Sequence, residues 1–189
     1  MNALDFSALR AGPITLHRIS EQNAEAVRDA LSPYPDGDYM ADALADSYLP
    51  RYDDEGRQVR YGFYTTYDGE LAGMSLLGIA DWQRLRGFTG ADTFAHMRGR
   101  GIAPGSKPHL FYLGFALLGL YRIETGCLVS NAASKRSLDK TPGLVFEGTL
   151  RGWFRWTDGH FEDEHRYSIV RPDWETHYDP ADIEIIQPD

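Results

Sequence analysis

The sequence predicts a single α/β domain in which one mixed sheet carries helices on both faces. Two hairpin signals, Asp68-Gly69 and Thr157-Asp158-Gly159, each lie between β-rich runs. A segment that is apolar on nearly every side, Lys107 to Leu118, falls between strand-like runs, as a helix buried against a sheet would. At 189 residues the chain is one domain's worth and can bury a sizeable core without a staple.

Pro13 to Ile19 alternates apolar and polar residues and reads as a strand. Ser20 is the expected N-cap of a helix that runs to Leu31 and is ended by Pro33. Met40, Leu44 and Tyr48 recur at helical spacing, so a second helix is expected over Tyr39 to Leu49. Arg60 to Tyr67 and Glu70 to Ile79 form the first hairpin, and Phe88 to Met97 is a further strand entering an Arg/Gly-rich stretch. Because Pro104 and Gly105 precede it, the apolar helix is expected to begin near Ser106 or Lys107, and Gly119 stops it. Tyr121 to Val129 is the next strand, and Asn131 to Lys140 is a short polar helix closed by Pro142-Gly143. Leu144 to Trp156 and Glu164 to Val170 make the last hairpin. There is no repeat and no interdomain linker, so residues 1–175 are read as one domain and 176–189 as an acidic C-terminal tail.

The formal charge of −9 argues against nucleic acid as a partner, since that affinity depends on neutralising phosphates. No run has the length and apolarity of a membrane span, and the first twenty residues lack a signal-peptide core, so a cytoplasmic location is expected. The lone Cys127 excludes an intramolecular disulfide and a cysteine-cluster metal site, and no metal is expected. Charge is unevenly placed. Ser32 to Glu55 is acidic and tyrosine-rich, whereas Arg84, Arg86, Arg98, Arg100 and Lys107 stand against Asp92 alone. An acidic chain that gathers cations in one Gly-rich stretch has a place for an anionic small ligand, unless the patch is merely solvated.

That stretch, Met97-Arg98-Gly99-Arg100-Gly101-Ile102-Ala103, lies between a strand and the buried helix. A helix start leaves N–H groups without partners, and glycines let a phosphate approach them. A P-loop is excluded because Ser106 intervenes between Gly105 and Lys107. The dinucleotide fingerprint fails at Pro104, where its third glycine would stand. Arg98, Gly101 and Ala103 instead spell R-x-x-G-x-A. Downstream come Leu120-Tyr121-Arg122-Ile123-Glu124, Asn131-Ala132-Ala133-Ser134, Lys140, Gly143, Glu147-Gly148-Thr149-Leu150-Arg151, Asp158-Gly159, Asp163 and Tyr167-Ser168. With these residues the chain resembles the Gcn5-related N-acetyltransferase (GNAT) superfamily, and within it the RimJ/RimL branch, from about Arg98 to Trp174.

The resemblance implies a GNAT-type, mostly antiparallel sheet of six to seven strands, acetyl-CoA as cosubstrate, an amine-bearing acceptor, and a monomer or homodimer. It favours a protein N-terminus as acceptor, with a small amine such as a polyamine or aminoglycoside as the alternative. Met97, Arg98, Gly99, Arg100, Gly101, Ile102 and Ala103 would hold the pyrophosphate, and Asn131, Ser134 and Lys140 would complete the CoA site. Ser134 is by resemblance the acid that protonates the leaving thiolate, with Asn131 on the pantetheine arm; the alternative for Asn131 is a plain helix N-cap. Glu124 and His96 are candidate bases, although Glu124 has a surface salt bridge as its competing reading. The branch's sixth-strand glutamate has no counterpart in Trp153-Phe154-Arg155. This departure supports a reading of another class, a non-catalytic acyl-CoA-binding module. Tyr34, Tyr39, Trp153 and Asp163 are candidate acceptor contacts, from carboxylates and ring faces suited to an ammonium group; for the aromatic residues, packing is the alternative.

Overall fold

In the computed structural model the described residues are 5–34, 42 and 44–188. The chain opens with β1 (Ala8–Ala11) and β2 (Ile14–Arg18), followed by helix α1 (Ala24–Leu31). After a π-helical turn at Leu44–Tyr48 come β3 (Arg51–Tyr52), β4 (Gln58–Tyr67), β5 (Glu70–Asp81) and β6 (Arg86–Thr93). Helix α2 (Ile102–Tyr112), prolonged by a π-helical turn at Leu113–Leu117, leads to β7 (Arg122–Leu128). Helix α3 (Ala132–Asp139), β8 (Val145–Arg155), β9 (Phe161–Val170), α4 (Arg171–His177) and β10 (Glu184–Ile186) complete the fold.

The expected mixed sheet with helices on both faces is present. Among the described residues it has ten strands, not six to seven. The order is β10-β1-β2-β4-β5-β6-β7-β9-β8, with β3 beside β4. The additional strands are the short pieces β1, β3 and β10, whose pairing is long-range and leaves little local signal. The acidic segment over 176–189 contributes β10, which pairs antiparallel with β1 through Leu9 and Ile185. Asp68 (φ 50°) and Gly69 (φ 83°) are both left-handed, as the tight turn of the β4–β5 hairpin requires. Helix α1 starts later than its expected cap: Asn23 is the N-cap, and Ser20 and Asn23 exchange side-chain and backbone hydrogen bonds in the turn before it. Tyr39, Met40, Ala41 and Ala43 of the expected second helix lie outside the described residues; Leu44–Tyr48 of that segment forms the π-helical turn.

Alternation along β5 divides the core. Leu77 and Ile79 join Leu16, Phe63, Leu110, Phe111, Phe115 and Ile123 beneath α2. Met74 and Leu76 face the other way, onto Val27, Leu31, Leu44, Phe94 and Ile102 beneath α1.

One pair breaks the antiparallel pattern. Strands β6 and β7 run parallel, and their register extends only over Arg86↔Arg122, Gly87↔Ile123 and Phe88↔Glu124. Beyond those residues β6 stays paired with β5 as far as Thr93, and β7 with β9 as far as Leu128. The two strands therefore fork, and the backbone groups along the inner edges of the fork have no partner strand.

Candidate functional site

Helix α2 begins at Ile102 and not at Ser106 or Lys107. Its N-cap is Gly101, in the left-handed region at φ 77°, ψ 18°. Pro104 is thereby the third helical residue, where the missing N–H is one that the helix could not have used. The N–H groups of Ile102 and Ala103 likewise have no helical acceptor, and they stand beside the fork with the positive end of the helix dipole behind them. Met97 and Ile102 anchor the loop by burying their side chains in the core under α1, so the intervening backbone is held at the surface.

A groove of about 1080 Å³ runs from this loop to α3. Met97, Arg98, Gly99, Gly101, Ile102 and Ala103 border it on one side, and Asn131, Ser134 and Lys140 on the other. Of the expected cosubstrate contacts, Arg100 does not border it and is exposed. Asp92 of β6 and Trp156 at the end of β8 also line the groove. So do Ala133 of the Asn131–Ser134 motif and, further along the helix, Arg136 and Ser137. Their spacing with Lys140 places all four on one face of α3, a periodicity that identifies them in retrospect. Arg136 and Lys140 thus set cations opposite Arg98.

Asn131 is the N-cap of α3, its side-chain oxygen accepting the Ser134 N–H at 3.0 Å. Its amide NH2 is left for another acceptor. Ser134 lies near Cys127 of β7 and influences its thiol. Burial pushes the Cys127 thiol up, the Ser134 hydroxyl works against that, and the Glu164 carboxylate adds to it.

Lys107 departs from the sequence reading, which counted it among the cations for an anionic ligand. It is buried at the closed end of the fork, where its Nζ donates to Thr89 Oγ1 at 2.9 Å and to Thr125 Oγ1 at 3.1 Å. These threonines are the first residues of β6 and β7 beyond the last paired positions. Thr125 Oγ1 also donates to the Thr89 carbonyl, closing the apex. Burial lowers the Lys107 pKa from 10.5 to about 8, a shift of about 3 kcal/mol. Between those pH values the unfolded chain binds the proton and the folded chain does not, so this residue makes stability rise with pH. Lys107→Met is accordingly expected to be the more stable protein at pH 7, by about 1–3 kcal/mol, with the advantage shrinking from pH 8 to 10.5. Denaturant midpoints of both proteins across that range check it; a pH-independent difference contradicts it.

Glu124 lies on the closed side of the fork, in an ion-pair network. Its Oε1 accepts from Arg86 Nη2 at 2.7 Å and from Arg122 Nε at 3.0 Å. Burial opposes its charge, but the two guanidinium groups prevail and hold the carboxyl below its ordinary range. Arg122 continues the network to Glu147 and Ser168. Of the two readings of Glu124, the geometry is that of the salt bridge.

The remaining candidates do not converge. Tyr34 stacks on Phe94 at 4.7 Å and on His96 at 5.3 Å, forming an aromatic pile beside α1. His96 Nε2 is 3.7 Å from Glu70 Oε1, and His96 does not line the groove. Trp153 is exposed on β8 with the Arg166 guanidinium 4.7 Å above its ring. Asp163 accepts the Gly152 N–H at 2.7 Å and so caps an irregularity of β8.

No protein-family profile and no curated protein sequence matches the chain. Solved structures do. One presumed acetyltransferase superposes with a TM-score of 0.72 at 20% identity, covering 93% of this chain and 92% of that one. Another, from T. thermophilus, gives 0.65 at 20% identity, covering 93% and 95%. Spermidine N-acetyltransferase from Vibrio cholerae, a dodecamer, gives 0.65 at 15% identity, covering 88% and 99%. Among the described residues, a ten-stranded mixed sheet forked at its one parallel pair, with a glycine-capped helix above the fork, gives this chain the fold of the GNAT acetyltransferases.

Proposed function

We propose that this chain is an acetyl-CoA-dependent N-acetyltransferase that passes the acetyl group directly to a primary amine. The observation that carries the reading is the fork between β6 and β7 opening beneath the N-terminus of α2. A thioester on a long amide-bearing arm with a pyrophosphate at its far end matches that shape and chemistry. The free N–H groups of Ile102 and Ala103, flanked by Arg98, Arg136 and Lys140, suit the pyrophosphate. The unpaired backbone edges of the fork and the Asn131 amide suit the peptide-like groups of the arm. Ser134 is the proton donor to the departing thiolate. Buried Cys127, with its thiol pKa raised, is poorly disposed to act as a covalent acyl carrier.

Two acceptor classes stand behind this reading. The RimJ/RimL-like motifs favour a protein N-terminus. A small polyamine is favoured by the likeness of the fold to a spermidine N-acetyltransferase. A thiol-release assay with acetyl-CoA against N-terminal peptides, polyamines and aminoglycosides separates them. Ser134→Ala is expected to lower kcat about a hundredfold with CoA affinity unchanged. Tight CoA binding without turnover on any amine favours a binding module.

A further inference from the structure

The fork supplies an acid in Ser134, and the two bases expected from the sequence, Glu124 and His96, lie elsewhere. A different carboxylate, Glu164, lies over β7 at the side of the fork, outside the lining of the groove itself. On β9, Glu164 stands opposite Leu128 of β7, and Arg166 opposite Gly126. Through the parallel register Phe88↔Glu124, these positions share a sheet face with Gly90 and Asp92 of β6, the face that carries α1. Gly126 has no side chain, and Glu164 uses the space: a Cβ built at Gly126 would collide with Glu164 Oε1. The carboxylate therefore lies over β7 and is directed toward the fork. Among the described residues nothing stands within 4 Å of where a Cβ of Gly90 would be, so on their account the β6 side of the same face is open for an acceptor. Cys127, near Ser134, is followed on β7 by Leu128, the register partner of Glu164, so the acid and this carboxylate attach to adjacent positions of the strand.

We propose that Glu164 is the general base of the acetyl transfer, taking the proton of the acceptor ammonium on the α1 face of the fork. This inference rests on the acetyltransferase reading above. One proton passes from R–NH3⁺ to a Glu164 oxygen, and the freed lone pair forms the N–C bond to the thioester carbonyl carbon. The C–S bond breaks, the thiolate takes the Ser134 hydroxyl proton, and Ser134 is re-protonated by the second proton leaving nitrogen. Glu164 releases its proton to water, so the products are the N-acetyl amine, the CoA thiol and one proton.

The surroundings suit a base. The Glu164 side chain is only 15% exposed, and burial raises its pKa, opposed by the Arg166 guanidinium, whose Nε is 3.1 Å from Oε1. The other titratable groups near it are Cys127 on β7, Asp92 across the fork on β6, and Glu162 on its own strand; Glu162 is engaged by the Ser130 N–H and the Trp156 indole. From β8, Leu150 stands opposite it in the register. A carboxylate whose pKa is raised is a stronger base, and an ammonium docked on this face is attracted by its charge.

The test is the pH dependence of kcat/KM with spermidine and with a short peptide bearing a free N-terminus, beside the CoA-induced rise in melting temperature. Glu164→Gln is expected to lower kcat/KM at pH 7 about a hundredfold or more, to keep the CoA-induced rise, and to move the acidic limb to the amine's own pKa. Arg166→Gln, which removes the opposing cation, is expected to move the acidic limb upward and keep the plateau. Carboxyl ¹³C resonances of glutamate-labelled protein provide a readout without turnover. The resonance missing from Glu164→Gln titrates above the ordinary glutamate range, and higher still in Arg166→Gln. Wild-type rate and an unmoved limb in Glu164→Gln overturn the proposal and leave the acetyltransferase reading intact. If Glu164→Gln proves poorly folded, an unmoved limb and resonance in Arg166→Gln overturn it instead. Absence of any CoA effect on the wild type, or CoA binding with no amine acetylated, overturns that reading and this inference with it.

Discussion

Gly101→Val is expected to weaken CoA binding a hundredfold or more while the chain stays folded. Gly101 holds a left-handed conformation at the N-cap of α2, where a side chain with a Cβ costs about 1–2 kcal/mol. There is room for the Cβ itself, since nothing among the described residues lies within 4 Å of it, so the penalty is conformational and not a clash with the core. Valine, branched at Cβ, relieves it by turning the peptide, which swings the Ile102 and Ala103 N–H groups away from the groove. Two hydrogen bonds to a charged group, at about 1.5–3 kcal/mol each, account for the expected factor. Titration calorimetry with CoA and the melting temperature without ligand check it. Wild-type affinity in a folded Gly101→Val protein would remove the loop from the site.

Arg122→Met is expected to destabilise the fold by about 2–3 kcal/mol, a fall of roughly 5–10 °C in melting temperature. Arg122 joins Glu124 on its own strand to Glu147 on β8 and Ser168 on β9, while Arg86 ties β6 to the same Glu124. This clamp spans the four strands at the closed end of the fork. The hydrogen bonds and charge of Glu147, then Glu124, raise the Arg122 pKa against the cost of burial, so the cation persists at any pH the fold survives. The carboxylates set the pH dependence instead. Both have pKa values held below the ordinary glutamate range, so their contribution is complete at neutral pH and is lost as pH falls through those lowered values. Thermal unfolding of the variant and wild type at pH 7 and at pH 4 checks both points: the gap between them narrows on acidification. Equal stability at pH 7 would show that the clamp contributes nothing net, as many exposed ion pairs do.

What was legible in the sequence was local. Asp68-Gly69 specified a left-handed turn, and the hairpin is there; the Gly99 and Gly101 spacing marked a phosphate-type loop, and both residues have positive φ. Pro104 reads as a barrier to α2 in the sequence, but it stands at the third position of the helix, which has no use for an N–H. Arg136 and Ser137 share the helical face of Ala133 and Lys140, a periodicity visible in the sequence. The rest depends on which strands become neighbours. The strands β1 and β10 exist only because the ends of the chain pair with each other across the sequence. Lys107 reads as one more surface cation until the fork is known to stand beneath it. Glu164 reads as one acid among three on a hairpin until the register sets it beside a glycine.

The groove between the α2 N-terminus and α3 is expected to hold CoA. Titration calorimetry of the wild-type protein with CoA tests it directly. The expected result is binding at one site per chain, weakened by added salt because Arg98, Arg136 and Lys140 meet phosphates in partly exposed positions. No binding at millimolar CoA, or binding indifferent to Gly101→Val, would contradict it.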